Sequence, residues 1–304
     1  MRGLVIAGPT GVGKTELSLK LAEKLNLEII SGDSMQIYKE MNIGTAKITS
    51  EEMKNIKHYM IDVVSPIEDY SVGDFEVEVN KILSDKEKKH ENVMLVGGTG
   101  LYINAITNGI ADLPGKNTAI RKRLESKKKE ELQEILKELD LESYNEIDLE
   151  NKLRLVRAIE VCEVTGDKFS RLKRINVKNN NFDFLKILLI RDREELYERI
   201  NQRVDQMIKN GLIDEAESIY SKYKDFRYKI SAIGYKELFD YFDGKKTLDE
   251  AVDEIKKESR RYAKRQLTWF RKQEDYFVYN LSVMSEEKVF EEILLEWKKI
   301  AGRG

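Results

Sequence analysis

The chain holds a single cysteine, Cys162, among 304 residues. A lone cysteine excludes internal disulfides and any Cys-rich zinc site. Its setting, Val161-Cys162-Glu163-Val164, reads as a small apolar core position. No apolar run reaches the ~18–20 residues of a membrane span. Met1-Arg2-Gly3 leads straight into a strand pattern, without the profile of a signal peptide. Internal repeats of 20–50 residues and low-complexity linkers are also missing. Neither sign of charge dominates: Lys and Arg number 53 and Asp and Glu 55, for a net charge of -2. Any surface for nucleic acid must therefore be local. The two histidines, His58 and His90, have no partners in sequence and read as packing or surface residues. What is present, 41% apolar and 36% charged residues, supports a sizeable core with solvated helix faces. The expectation is a soluble, cytoplasmic protein of one large or two modest domains.

Residues 8–15 read Gly8-Pro9-Thr10-Gly11-Val12-Gly13-Lys14-Thr15, directly after Leu4-Val5-Ile6-Ala7. This is the complete G-x-x-x-x-G-K-[ST] phosphate loop between a strand and a helix. Glycine-freed backbone amides and the positive end of the following helix suit a polyphosphate. Lys14 adds a point charge, and the Thr15 hydroxyl is a ligand for Mg²⁺.

Residues 3–7, 28–31, 59–64 and 93–96 read as strands, and 14–25 as an amphipathic helix with Leu17, Leu21 and Leu25 on one stripe. A second helix starts at Ser71 to Asp74, and a third from Thr99. Alternating strands and helices predict an α/β fold, a parallel sheet flanked by helices. Ligands in such sheets bind at the carboxyl ends of strands, where Gly8, Asp33 and Gly97 fall. The strand signal vanishes after Leu113-Pro114-Gly115 and returns at 184–190. The expected organisation is a phosphate-loop core at 1–114 and 184–304, interrupted by a helical insertion at 115–183. Residues 276–279 read as an edge strand and 286–300 as a closing helix.

Asp33, in Ser31-Gly32-Asp33-Ser34-Met35-Gln36, ends the second strand beside the loop. It fits a helix cap, a ribose-binding acid, or a general base facing the phosphate. Ile43-Gly44-Thr45-Ala46-Lys47 offers amides, a hydroxyl and a cation, again suited to an anion. The strand at 93–96 runs into Gly97-Gly98, where a kinase often carries a magnesium-binding Asp; Asp62 and Asp192 end other strands and fit that role. Lys256, Lys257, Arg260, Arg261, Lys264, Arg265, Arg271 and Lys272 form a basic helix, with only Glu258 as acid between Lys256 and Lys272. The i,i+4 spacing puts Arg260 with Lys264, and Arg261 with Arg265, on common faces beside Trp269 and Phe270. Arg261 and Arg265 are thus candidate contacts to an RNA backbone. Arg171, Lys173, Arg174 and Lys178 make a second basic group.

The phosphate loop, Ile30 to Tyr38, Met41 to Lys47, Tyr70 to Phe75, Val96 to Tyr102, Arg157 to Val161, Arg203 to Met207, Ala232 to Glu237 and Tyr262 to Arg271 occur in that order. Together they resemble the tRNA dimethylallyltransferases (tRNA isopentenyltransferases) of bacterial type, over nearly the whole chain. Gly32 and Lys152 depart from the family's usual residues, and the C-terminal zinc finger of eukaryotic members is missing. The resemblance implies a phosphate-loop NTPase-like fold with an inserted helical tRNA-binding domain. It implies transfer of a dimethylallyl group from dimethylallyl diphosphate to the adenine just 3′ of a tRNA anticodon, with Mg²⁺. Asp33 would be the base, while Thr10, Lys14 and Arg203 attend the diphosphate. Ser34, Met35, Gln36, Thr99 and Arg121 would join Asp33 in contacting the anticodon stem-loop. A base in a stacked loop must flip out to react, and the Gln36 amide suits an adenine edge. Two alternatives share the loop: an isopentenyltransferase acting on free AMP, ADP or ATP, and a small-molecule kinase. A catalytically silent tRNA-binding protein is disfavoured by intact Lys14, Thr15 and Asp33. A monomer without membrane association is the expected state.

Overall fold

The computed structural model describes residues 1–177 and 180–301. Two compact units are present, 1–103 with 180–304, and 104–179. In chain order the elements are β1 (Arg2–Ala7), α1 (Lys14–Leu25), β2 (Glu28–Ser31), β3 (His58–Tyr59), α2 (Val72–Lys88), β4 (Val93–Gly97), α3 (Gly100–Thr107) and β5 (Ile110–Ala111). Then follow α4 (Thr118–Glu125), α5 (Lys129–Leu139), α6 (Leu141–Glu146), α7 (Lys152–Thr165), α8 (Phe169–Leu172) and β6 (Asn176–Val177). The chain continues through β7 (Asp183–Ile190), α9 (Arg193–Lys209), α10 (Leu212–Lys222), a 3-10 segment (Lys224–Lys229) and α11 (Lys236–Phe242), and closes with α12 (Leu248–Phe270), β8 (Phe277–Asn280) and α13 (Glu286–Ala301). No helix among the described residues is long and apolar enough to cross a membrane.

The first unit is built on a six-stranded sheet in the order β3-β2-β4-β1-β7-β8, every pairing parallel. The central strands carry continuous apolar runs at 4–7, 93–96 and 187–190 because helices cover both faces. Leu4, Val5, Ile6 and Ala7 are fully buried, as are Ile187 and Leu189. The chain leaves β1 toward β2 on one side and later returns to β7 on the other. That reversal makes the carboxyl end of β1 the topological switch point, where such sheets bind ligands. The strand expected at 59–64 shrinks to His58–Tyr59. Met60 and Asp62 adopt left-handed backbone, at φ 62° and 56°, which a strand cannot contain. The helix start at Ser71 is as expected. Ser71 Oγ accepts from the Asp74 amide, and the Asp74 carboxylate accepts from the Ser71 amide, a reciprocal cap.

The second unit is helical apart from the short β5–β6 pair. Its core gathers Leu124, Leu132, Leu136, Leu155 and Ile159. Buried charge is satisfied internally. Glu160, with no exposure, receives Arg121, Arg157 and the Asn117 amide. Asp140 accepts from the amides and hydroxyls of Ser143 and Ser170. Cys162 is buried and free, its thiol pushed up chiefly by burial, in keeping with a packing role.

Candidate active site

The phosphate loop leaves β1 at the switch point and enters α1 at Lys14. Gly13 caps the helix at φ 110°, a left-handed backbone open to glycine. Cations ring the loop from outside. Arg191 Nε donates to the Val12 carbonyl at 2.9 Å, and Arg199 Nε to the Gly11 carbonyl at 3.0 Å. Lys14 Nζ donates to the carbonyls of Gly8 at 2.9 Å and Pro9 at 2.8 Å. Arg203, on α9, donates from Nη1 to Thr10 Oγ1 at 3.0 Å. Lys14, Arg199 and Arg203 have no carboxylate partner in an ion pair among the described residues. Burial pushes the Lys14 amine down to about 8, with Arg203 lowering it further and Asp33 opposing. Burial likewise lowers Arg203, against the pull of Asp33. A partly desolvated cation cluster without an ion-pair partner, at a helix N-terminus, is an anion site. Arg203 is therefore directed into the loop and is not spent on its own helix face, whereas Glu195 on that helix pairs with Arg191.

Asp33 follows β2 and is half-buried. Its Oδ1 accepts from the Met35 amide at 2.9 Å, and of the three cavities it lines, two share a wall that includes it. One, of about 560 Å³, is polar and holds Lys14, Thr15, Gln36, Arg199 and Arg203. The other, of about 300 Å³, is lined largely by apolar side chains, among them Met35, Ile200, Val204, Met207, Ile233 and Ile255. Thr10, Asp33, Thr45 and Arg203 form the shared wall. A carboxylate thus stands between a compartment for anions and one for carbon.

Thr99 does not turn its side chain to its own helix. Its Oγ1 accepts from the Ser34 amide at 3.0 Å and lies 3.2 Å from Ser34 Oγ, tying the end of β4 to the Asp33 segment. Gln36 is held at both ends: Oε1 accepts from Ser31 Oγ and Nε2 donates to the Ala46 carbonyl. Arg265 lines the apolar cavity and lies over the Tyr262 ring at 5.7 Å. Arg261, on the same helix, is exposed and pairs with Glu258 at 2.6 Å. Arg121 belongs to the other unit, where it grips Glu160 with two bonds.

Several expectations change. The amides of Asn42, Ile43 and Gly44 do not await an external anion; the Glu215 carboxylate accepts from all three. Lys47 is likewise engaged by Tyr38, Asn42 and Asp62. Asp62 therefore ends no strand and faces Lys47, while Asp192 accepts from Asn280 at the end of β8; neither lines the phosphate cavity. The basic helix has more acid than its own sequence shows, because Lys256 pairs with Asp205 of α9 at 2.6 Å. Arg171, Lys173 and Arg174 are paired with Asp167, Glu146 and Glu142, and Lys178 lies outside the described residues.

Sequence reasoning assigned no role to Gln266 or Tyr262. Gln266 Oε1 accepts from the Thr10 amide at 2.9 Å, and its Nε2 donates to the Gly98 carbonyl at 2.9 Å. One buried amide thus joins α12, the phosphate loop and the end of β4. A side chain at 98 would push this amide aside, since a Cβ there would lie 2.3 Å from Gln266 Nε2 and 3.1 Å from the Gly8 carbonyl oxygen. Tyr262 lines the apolar cavity, its phenol pushed up by burial and by Asp33. Both lay within the Tyr262 to Arg271 block; the signal was a buried-facing polar residue on an otherwise basic helix.

A parallel sheet with a cation-ringed phosphate loop at its switch point defines a phosphate-loop α/β protein. The family model "IPP transferase" matches residues 36–273. The tRNA dimethylallyltransferase of Fusobacterium nucleatum is 51% identical over 292 residues, covering 96% of each chain. That of Clostridioides difficile is 45% identical over 275 residues, 88% of each. Among solved structures, the full-length tRNA isopentenylpyrophosphate transferase of Bacillus halodurans superposes with a TM-score of 0.72 at 40% identity, over 99% of this chain and 96% of that one. A eukaryotic dimethylallyltransferase acting on tRNA gives a TM-score of 0.81 at 27% identity, over 95% and 78%. The chain belongs to the IPP transferase family, the tRNA dimethylallyltransferases.

Proposed function

We propose that this enzyme transfers a dimethylallyl group from dimethylallyl diphosphate to the exocyclic amine of the adenine 3′-adjacent to the anticodon of tRNA. The observation that carries this reading is Asp33 at the junction of a cationic and an apolar cavity. The diphosphate fits the cationic side, on the loop amides with Lys14, Arg199 and Arg203. The allylic carbons and the flipped adenine fit the apolar side, within reach of Met35 and Tyr262.

Three changes complete the reaction. The amine nitrogen bonds to the allylic carbon C1. The C1–O bond breaks, and its electron pair leaves with the diphosphate. The amine proton passes to Asp33. Such base assistance is worth roughly 10²–10⁴-fold, and each preorganised donor to the departing charge about 10²–10³-fold in kcat. Thr10 and Arg203, already bonded to one another, would bear on that charge as it forms. Among the described residues no group of three or more His, Cys, Asp or Glu could hold a metal alone. A divalent ion carried on the diphosphate oxygens, with the exposed Thr15 hydroxyl at the mouth of the loop, fits this donor set. Bound there, Mg²⁺ would supply Lewis-acid neutralisation of the leaving group.

Ser34, Met35, Gln36, Thr99 and Arg265 are the RNA-facing residues of this reading, with Arg261 on the backbone. The unit of residues 104–179 is proposed to bind tRNA, with Arg121 as a contact. The test is a competition between an anticodon stem-loop and AMP for labelled dimethylallyl diphosphate. Label is expected in the RNA; equal transfer to AMP would overturn the tRNA assignment.

A further inference from the structure

Glu215 lies on α10, far in sequence from the loop it holds. Its Oε2 accepts from the Asn42 amide at 3.0 Å, and its Oε1 from the Gly44 amide at 3.1 Å. The Ile43 amide lies 2.9 Å from both oxygens. Tyr235 Oη completes the set at 2.6 Å on Oε1. Consecutive amides converging on one point make an anion nest, and here the anion is the protein's own.

The grip extends to the reacting region. Gly44 lies flat against Tyr235; a Cβ on it would stand 2.5 Å from the ring. Tyr235 is fully buried, so this wall cannot give. Two residues on, Ala46 is held at φ 45°, a backbone that a non-glycine residue keeps only when its surroundings impose it. The Ala46 carbonyl then accepts Gln36 Nε2, and Gln36 closes the segment that begins at Asp33. Gly44 and Thr45 also line the apolar cavity beside Asp33.

We infer that Glu215 is a positioning residue. Its carboxylate acts as a built-in anion that folds residues 42–46 and, through Ala46 and Gln36, sets the Asp33 segment. It also fills a nest that would otherwise compete for the substrate's phosphates, leaving the phosphate loop as the anion site of the cavity. The inference rests on the proposed reaction for its kinetic consequence but not for its structural one.

The experiment uses the full chain with three variants, Glu215→Gln, Glu215→Ala and Tyr235→Phe. Amide hydrogen exchange is read by mass spectrometry without any substrate. Exchange over 42–46 should rise in Glu215→Gln while α10 and the phosphate loop keep their protection. With anticodon stem-loop and dimethylallyl diphosphate, kcat should fall roughly 10–100-fold, the scale of a misplaced reacting group. KM for the diphosphate should stay within about threefold. Acetate should restore turnover to Glu215→Ala and leave the parent unchanged, which a loss of packing alone would not allow. Tyr235→Phe, which keeps the nest, should lose less than Glu215→Gln. Unchanged exchange over 42–46, a kcat within about threefold of the parent, or no response to acetate would overturn the inference. A parent enzyme inactive on RNA would instead overturn the proposed function, leaving exchange to decide the role of Glu215.

Discussion

The helical unit and the phosphate-loop site of the core treat their positive charge in opposite ways. In residues 104–179, Arg121 and Arg157 converge on buried Glu160, Arg123 meets Glu163, and Lys173 and Arg174 meet Glu146 and Glu142. In the core, Lys14, Arg199 and Arg203 face carbonyls and a hydroxyl. The first arrangement is closed, and its charges hold the fold together. The second is open, and its field is available to a ligand. Abundance of basic residues does not separate the two cases; the partner does. An ion pair screens its own charge, whereas a cation on a carbonyl retains nearly all of its own.

That contrast can be broken or sharpened by substitution. The largest expected effect is at the open site. Asp33→Ala should lower kcat by about 10²–10⁴-fold with tRNA affinity retained, measured by single-turnover transfer beside filter binding. A large loss of affinity with normal turnover would remove Asp33 from the role of base. Lys14→Ala or Arg203→Ala should cost about 10²–10³-fold in kcat/KM for the diphosphate, and an effect near that of a surface lysine would make the site closed after all.

A smaller effect follows from pH. Burial holds the free-enzyme Lys14 amine near 8, so the ammonium is present below that value and lost above it. The kcat/KM for dimethylallyl diphosphate should therefore fall as pH rises through about 8, since that parameter reports the free enzyme. Lys14→Arg should carry the plateau to higher pH. A flat profile to pH 10 would contradict the assignment.

In the closed unit, Arg121→Ala should act on stability. It removes two bonds from a carboxylate with no exposure, at a cost of about 1.5–3 kcal/mol, read as a lower midpoint in urea. Arg157 and the Asn117 amide remain on Glu160, which keeps the loss moderate. An unchanged tRNA affinity in the folded variant would remove Arg121 from the proposed tRNA contacts and leave it a purely structural partner of Glu160. The smallest effect belongs to Arg261→Ala. Losing one phosphate contact should reduce the salt slope of tRNA binding by about one unit; an unchanged slope would leave Arg261 as the exposed partner of Glu258.

Local pattern made much of this visible before any coordinates. The phosphate loop, the alternation of strand and helix, and the helix start at Ser71 are written in adjacent residues. Asp33 was legible because β2 ends beside the loop in any doubly wound sheet. What escaped depends on partners distant in sequence. The nest at 42–44 is filled from α10, Thr10 is met by Gln266, and Lys256 by Asp205. The short β3 escaped for another reason. Met60 and Asp62 are ordinary in composition, and only the backbone at those residues breaks the strand.

The central claim is that the phosphate loop holds a departing diphosphate and hands on no phosphoryl group. Donor labelled with ¹⁸O at the oxygen bridging carbon and phosphorus tests it directly, in a reaction with anticodon stem-loop and Mg²⁺. Cleavage between carbon and oxygen should send the label into released pyrophosphate, with dimethylallyl on unlabelled RNA. Label retained in dimethylallyl alcohol, with a phosphorylated acceptor, would contradict the account.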